Sequence, residues 1–474
     1  MIEPDALAPE VSLTDLTATE ALSLMDGERL DPEVLWREAE SRADESSEFN
    51  ALTFRLAREA SDIRGPLRGI PVVVKGNIDV RDVPTTAGTP GLIENIATAD
   101  APVVRRLRDA GARPVAVTVM HELALGATSN NAMDGAPRNP WNPSMISGGS
   151  SGGTAAAVAL GIAPIGIGTD TGGSVRVPAA LCGIYGFRPT IGRYPGTGIF
   201  SLSPTRDTAG PMARSIDDIL LADRVLASRR RRNTRSADAS PSDIVVGVST
   251  SHLADLDPDV GERFERTVEL IVGAGFRVID VNVGEIVTAA SEIAVDIVWG
   301  EAETSLSDYL SSRSGPQPRA VFSGVTSPDV KALLDASLGS VSAEHYEKVV
   351  RTFMRLRENF GRAMDDAAAD VVLFPTTPVV APPIGDDDTL VLNGRAQPTF
   401  ATIIRHSDLG GTIGLPGISV PVGPGSRSGL PVGAEFTAPS GADDKLLDIV
   451  SRIAPVIAVE TRPSALPTAV SRPR

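Results

Sequence analysis

The sequence predicts an α/β layered fold. Three observations carry that expectation: apolar runs of strand length, capped segments of helix length between them, and an ordinary soluble composition. The 474 residues are 42% hydrophobic and 22% charged, enough apolar content for a large core or two to three average domains. Strand-length and helix-length segments alternate, the pattern of a layered α/β protein.

In chain order, Thr17 to Glu20 reads as a capping box; Ala21, Leu22, Leu24 and Met25 follow, and Gly27 stops the turn. Asp31-Pro32 gives an N-cap and a proline at the first helical position, opening a second helix towards Arg42. Ile70 to Val74 is a continuous apolar run, a buried strand ending at Lys75. Val103 to Ala110 reads as a helix and Pro114 to Val119 as the next strand. From Ser144 to Arg193 glycine, serine and threonine crowd together around apolar segments such as Thr154 to Ala163. That density implies backbone packed closely against something, not a linker. Further along, Ile244 to Val248, Val371 to Phe374 and Gly417 to Val422 read as strands, and Pro258 to Gly273 as an amphipathic helix. Gly284 to Met364 reads as mainly helical, with a loop around Ser314 to Pro318. The expected organisation is an N-terminal helical segment over 1–65, a catalytic domain over 66–462 with a solvated loop over 228–243, and a disordered tail over 463–474.

Charge and composition narrow the function classes. A formal net charge of -16 argues against nucleic acid and anionic membranes as partners. The five arginines between Ser228 and Asp243 lack interleaved aromatics and read as a solvated loop. One cysteine, Cys182, excludes an intramolecular disulfide and suits a reducing compartment. No signal-like start and no long apolar run is present, so a cytoplasmic location is expected. The four histidines are scattered, with no HExxH and no Cys/His spacing, so no metal and no cofactor is expected.

Three segments carry candidate chemistry: PVVVKGNID around Lys75, SGGSSGGTAA around Ser150 and GTDTGGSVRVPAALCG around Ser174. A lysine at the end of a buried strand is desolvated, which favours its neutral, basic form; alternatively it snorkels to the surface. The Ser147 to Thr154 loop could cradle phosphate, but GK[ST] and GxGxxG with its acidic partner are both missing. It could equally be flexible, or place two hydroxyls on a tight turn. In Thr169 to Val175, two glycines before Ser174 allow backbone N–H groups to converge beside a hydroxyl, as an oxyanion hole requires. A glycine-rich turn with a capping serine is the plainer reading. This segment around Ser174 is not the GxSxG nucleophile elbow, so an ordinary Ser-His-Asp hydrolase is not favoured.

Together, in this order and with Ser150 and Ser174 separated by 24 positions, the segments resemble the amidase signature family. RNPWNPSMISGGSSGG, PAALCGIYGFRPTIGRYPG, SPTRDTAGPMARS, LFPTTPVVAPPIG, GLPGISVPVG and GLPVGAEF extend the resemblance over nearly the whole chain. MHELALGATSNN (Met120 to Asn131) and the turn Gly192 to Gly196 resemble a narrower group, the indoleacetamide and mandelamide hydrolases. The resemblance implies an α/β/α sandwich, with a mixed central sheet covered by helices on both faces. It implies a triad of Lys75, Ser150 and Ser174, with Ser174 as nucleophile and Ser150, after a cis peptide bond, bridging to Lys75. It implies an oxyanion hole from the N–H groups of Thr171, Gly172, Gly173 and Ser174, with Ser151, Asp170 and Arg176 in support. Family members often pair as dimers, and the N-terminal helices could serve a homodimer.

The implied reaction is hydrolysis of a small-molecule carboxamide to carboxylate and ammonia through an acyl-enzyme. Resemblance points to aryl-acetamides. Met120, Leu123, Gly126, Ala127, Ile199, Phe200 and Leu202 could line the acyl pocket or simply pack in the core. Aryl carbamates, anilides or aryl esters are alternatives on the same triad. A partner-dependent amidotransferase subunit is another. Two departures stand out: Gly76 where the family usually has aspartate, and Gly410-Gly411-Thr412 where it often has asparagine.

Overall fold

In the computed structural model the described residues are 12–58, 64–228, 240–311, 313, 316–459 and 463. Most of the arginine-rich loop and nearly all of the C-terminal tail therefore lie outside the described residues. The architecture is a mixed sheet of eleven strands between layers of helices, the α/β sandwich expected. From one edge the order is Leu52–Arg55, Arg113–Thr118, Pro71–Lys75, Ile165–Asp170, Thr208–Ala213, Tyr185–Arg188, Gly417–Pro424, Pro431–Thr437, Val371–Pro375, Val245–Ser249 and Arg277–Val281. Pro71–Lys75 runs parallel to both neighbours, whereas the middle of the sheet is antiparallel.

The pleat explains why Pro71–Lys75 reads as an unbroken apolar run. Val73 packs with Ala155 and Val158 of the helix Gly152–Ala159, while Val72 and Val74 join the cluster that includes Val104 and Leu107 on the other face. Both faces are covered, so every position is buried.

The N-terminal signals act as their chemistry dictates. Ala18–Asp26 starts at a two-way capping box between Thr17 and Glu20 and ends at Gly27. Pro32–Glu45 starts where Asp31 accepts from the Glu33 N–H at 2.9 Å. The first helix is tied to the core through Asp218, which accepts from the N–H groups of Ala18 (2.7 Å) and Thr19 (2.9 Å). Residues 1–65 contribute more than helices, because Leu52–Arg55 adds the edge strand. Gly284–Ser311 and Ala343–Ala367 are long helices that pack on each other; Phe353, Phe360, Ile293 and Ile297 share one cluster.

Candidate active site

Lys75 ends its strand at the centre of the parallel trio and is completely buried. Its Nζ lies 2.8 Å from Ser150 Oγ and 2.7 Å from Thr169 Oγ1. Among the described residues it forms no ion pair. Burial therefore dominates and pulls the ammonium down to about 7, with Asp207 and Asp170 offsetting only part of the effect.

Ser150 follows a cis peptide bond from Gly149. Its carbonyl accepts from the His121 N–H at 3.1 Å, and the helix Gly152–Ala159 begins directly after. Ser151 bridges two parts of the site. Its hydroxyl lies 3.3 Å from the Thr169 N and 3.2 Å from the Thr169 carbonyl, and its N–H reaches the Ser174 carbonyl at 3.2 Å.

The loop from Asp170 to Arg176 is held from below by charge. Asp170 accepts from the N–H groups of Gly173 (3.0 Å) and Val175 (3.1 Å), from Arg176 Nε (3.0 Å) and from an Arg188 nitrogen (2.8 Å). Arg176 also reaches Glu435 at 2.5 Å and the Ser407 carbonyl at 2.8 Å. Burial opposes ionisation of Asp170, but Arg176 and Arg188 outweigh it and hold the carboxyl well below the ordinary carboxylate range. Arg176 thus anchors the loop from beneath and does not line the cavity beside Ser174.

The commitment of the Gly173 N–H to Asp170 corrects one expectation, since that donor is not available to an oxyanion. Gly173 has φ of +129°, and a Cβ there would sit 2.1 Å from Ser407 Oγ, so only glycine fits. Gly411 serves the same loop from the other side: a Cβ would lie 2.2 Å from the Thr171 carbonyl oxygen. Its neighbour Thr412 is buried, and its hydroxyl has no hydrogen-bond partner among the described residues. Gly76 carries the chain past the Thr118 carbonyl, 3.1 Å from where a Cβ would stand.

Ser174 is 9% exposed and opens onto a cavity of about 110 Å³. Among the described residues its hydroxyl makes no hydrogen bond, so the Ser150–Ser174 link is open here while the Lys75–Ser150 link is closed. Apo geometry of this kind is common for groups that tighten around substrate. Leu123, Gly126, Phe200 and Leu202 line this cavity. Three expected lining residues do not. Met120 packs in a core cluster with Leu92, Ala127 packs with Ile146 and Val177, and Ile199 faces a separate cavity. That second cavity is larger, about 660 Å³, and shares only Thr169, Phe200 and Asp207 with the first. Size does not pick the site; the position of Ser174 does.

Several residues of the site escaped the sequence reading. Thr169 stands in a segment already singled out, and Asn77 lies two residues after Lys75, so both were within reach. Asn77 Nδ2 donates to Thr169 Oγ1 and to the Phe200 carbonyl, each at 3.1 Å. The wall opposite Ser174 comes from afar: Ala294, Val295, Val298 and Trp299 on the Gly284–Ser311 helix, with Phe400 and Ile404. Glu301 of that helix fixes it to the sheet side, accepting from Ser203 Oγ (2.9 Å), the Thr205 N–H (3.1 Å) and Tyr346 Oη (2.5 Å). Arg206 joins the wall to the loop, bonding the Ala294 carbonyl at 2.5 Å and pairing with Asp408.

Among the described residues no group of three His, Cys, Asp or Glu side chains could hold a metal ion, and no helix is long and apolar enough to cross a membrane.

The sequence model of the Amidase family matches residues 33–447. The chain is 40% identical to an indoleacetamide hydrolase of Agrobacterium vitis over 84% of its length and 86% of that protein. It is 34% identical to a mandelamide hydrolase of Pseudomonas putida, over 94% and 92%. A crystallised amidase superposes with a TM-score of 0.81 at 32% identity, covering 92% of this chain and 98% of that one.

Proposed function

The chain belongs to the amidase family, and on that premise we propose that it hydrolyses an aryl-acetamide, of the indole-3-acetamide or mandelamide type, to carboxylate and ammonia through an acyl-enzyme on Ser174. One observation carries the reading: a fully buried lysine that has no ion pair among the described residues, 2.8 Å from Ser150, beside a cavity onto which Ser174 opens.

Neutral Lys75 accepts the Ser150 proton as Ser150 takes one from Ser174, once the Ser174 hydroxyl turns onto Ser150 Oγ. The Ser174 oxygen attacks the amide carbon. Negative charge develops on the carbonyl oxygen, and the N–H groups of Thr171, Gly172 and Ser174 are the donors left to meet it. The same relay returns the proton to the amide nitrogen, the C–N bond breaks and ammonia leaves. Water then follows the reverse proton path to release the acid.

The acyl group is argued from the cavity wall. Leu123, Phe200, Val298, Trp299, Phe400 and Ile404 offer apolar and aromatic surface for a flat ring, with the polar groups clustered at the Ser174 end. The relatives named for indoleacetamide and mandelamide support the same class.

The test is ammonia or amine release from primary aryl-acetamides, anilides and aryl carbamates, with Ser174→Ala as control. Release from the aryl-acetamides should fall below roughly 1% in the variant. Turnover confined to anilides or carbamates would keep the triad and remove the substrate class. Turnover that survives in Ser174→Ala would remove the triad.

A further inference from the structure

Asn77, one of the residues lining the Ser174 cavity, carries a buried acceptor that no group among the described residues uses. Asn77 is 2% exposed and lines that cavity. The Phe200 carbonyl, 3.1 Å away, can only accept, so the nitrogen of the Asn77 amide must face it. The Thr169 hydroxyl oxygen receives the other Nδ2 hydrogen at 3.1 Å. Two partners thus set the amide, and Oδ1 turns the other way. Among the described residues, Oδ1 is buried without a hydrogen-bond partner. A buried amide oxygen left unpaired is costly, and such groups in a folded protein call for an explanation.

We infer that Asn77 Oδ1 accepts a hydrogen bond from the leaving nitrogen of the substrate, making Asn77 a specificity residue for amides bearing an N–H. The inference rests on the hydrolase reading above. Location supports it, because Thr169 Oγ1 bonds both Lys75 Nζ and Asn77 Nδ2. Asn77 therefore adjoins the relay lysine through a single residue and lines the same cavity as Ser174, in which the leaving nitrogen must be protonated. A carboxamide nitrogen brings N–H donors to that point and keeps them as its lone pair is protonated. An ester oxygen brings none, so Oδ1 would stay unpaired along the ester reaction.

The experiment compares kcat/KM for an aryl-acetamide and the methyl ester of the same acid, since kcat/KM reports the steps through acylation and leaves out deacylation, which the two substrates share. Asn77→Ala should lower the amide-to-ester ratio about tenfold, the size of one neutral hydrogen bond, and leave the pH limb of ester hydrolysis in place. Thr169→Val, which disturbs Lys75 directly, should lower both substrates together and move that limb. Equal losses on both substrates in Asn77→Ala would overturn the inference and assign Asn77 to positioning Thr169. If Asn77→Ala does not fold, the near-isosteric Asn77→Leu decides: it also removes the acceptor, so the ratio should fall about tenfold, and equal losses on both substrates would overturn the inference. A wild type without Ser174-dependent turnover fails at the earlier step, before any position-77 variant is needed.

Discussion

Two buried cations belong to the machinery around Ser174, and their surroundings are opposites. Lys75 meets only hydroxyls and a carbonyl, so burial acts nearly unopposed and brings it to about 7. Arg176 is equally buried but lies between Asp170 and Glu435, and these carboxylates overcome the desolvation that would otherwise lower it. The difference teaches how one fold places an easily deprotonated amine and a rigid platform around the same serine. A buried cation without a counter-charge gives up its proton; one with two becomes a structural tie.

The sharpest way to break this contrast is Lys75→Met. Activity should fall by roughly a hundredfold or more, because the relay loses its base. Stability should move the other way. The folded pKa of about 7 lies below the ordinary 10.5, so the folded state binds fewer protons than the unfolded chain between those values. Lysine 75 therefore costs stability in full below about pH 7, and that cost fades as pH rises towards 10.5. A melting-temperature gain for the methionine variant should be largest near pH 6 and shrink by pH 10. A loss of stability at pH 6 would contradict the account.

Arg176→Met tests the other side. It removes two ion pairs and strands Glu435, whose carboxyl burial already pushes up despite Arg176. Breaking a buried pair in this way should cost about 3–5 kcal/mol in urea unfolding. A cost below about 1 kcal/mol would mean that the platform does not depend on it.

The smallest effect is the most specific. With chemistry rate-limiting, kcat/KM should rise about tenfold between pH 6 and pH 8, as Lys75 loses its proton, and then level off. A flat profile would detach the rate from Lys75.

What the sequence makes legible follows from how local each feature is. Lys75, Ser150 and Ser174 lie in short segments whose residue types already limit their chemistry, and the capping boxes and buried strands are equally local. The acyl wall is not. Part of it, Ala294 to Trp299, lies more than a hundred positions from Ser174, on a helix where core and cavity positions are both apolar. Ile297 is buried against Phe353, while its neighbour Val298 lines the cavity. No periodicity separates those roles. The same ambiguity left both readings open for Met120 and Ala127: their segment reaches the cavity through Leu123 and Gly126, while Met120 packs behind Leu123 and Phe200 in one cluster and Ala127 packs with Ile146. The edge strand Leu52–Arg55 is four residues long and only partly buried, too brief to stand out.

The Gly284–Ser311 helix has a consequence for how such a protein can change over generations. Between Arg277–Val281 and Val371–Pro375 the described chain adds no strand to the sheet, yet it supplies part of the apolar lining of the Ser174 cavity. Variation at 294, 295, 298 and 299 can reshape what is admitted while the strands that carry Lys75 and Thr169 inherit their spacing unaltered. Diet and cutting edge are encoded in different stretches of the gene, and selection can act on the first while the second is held constant.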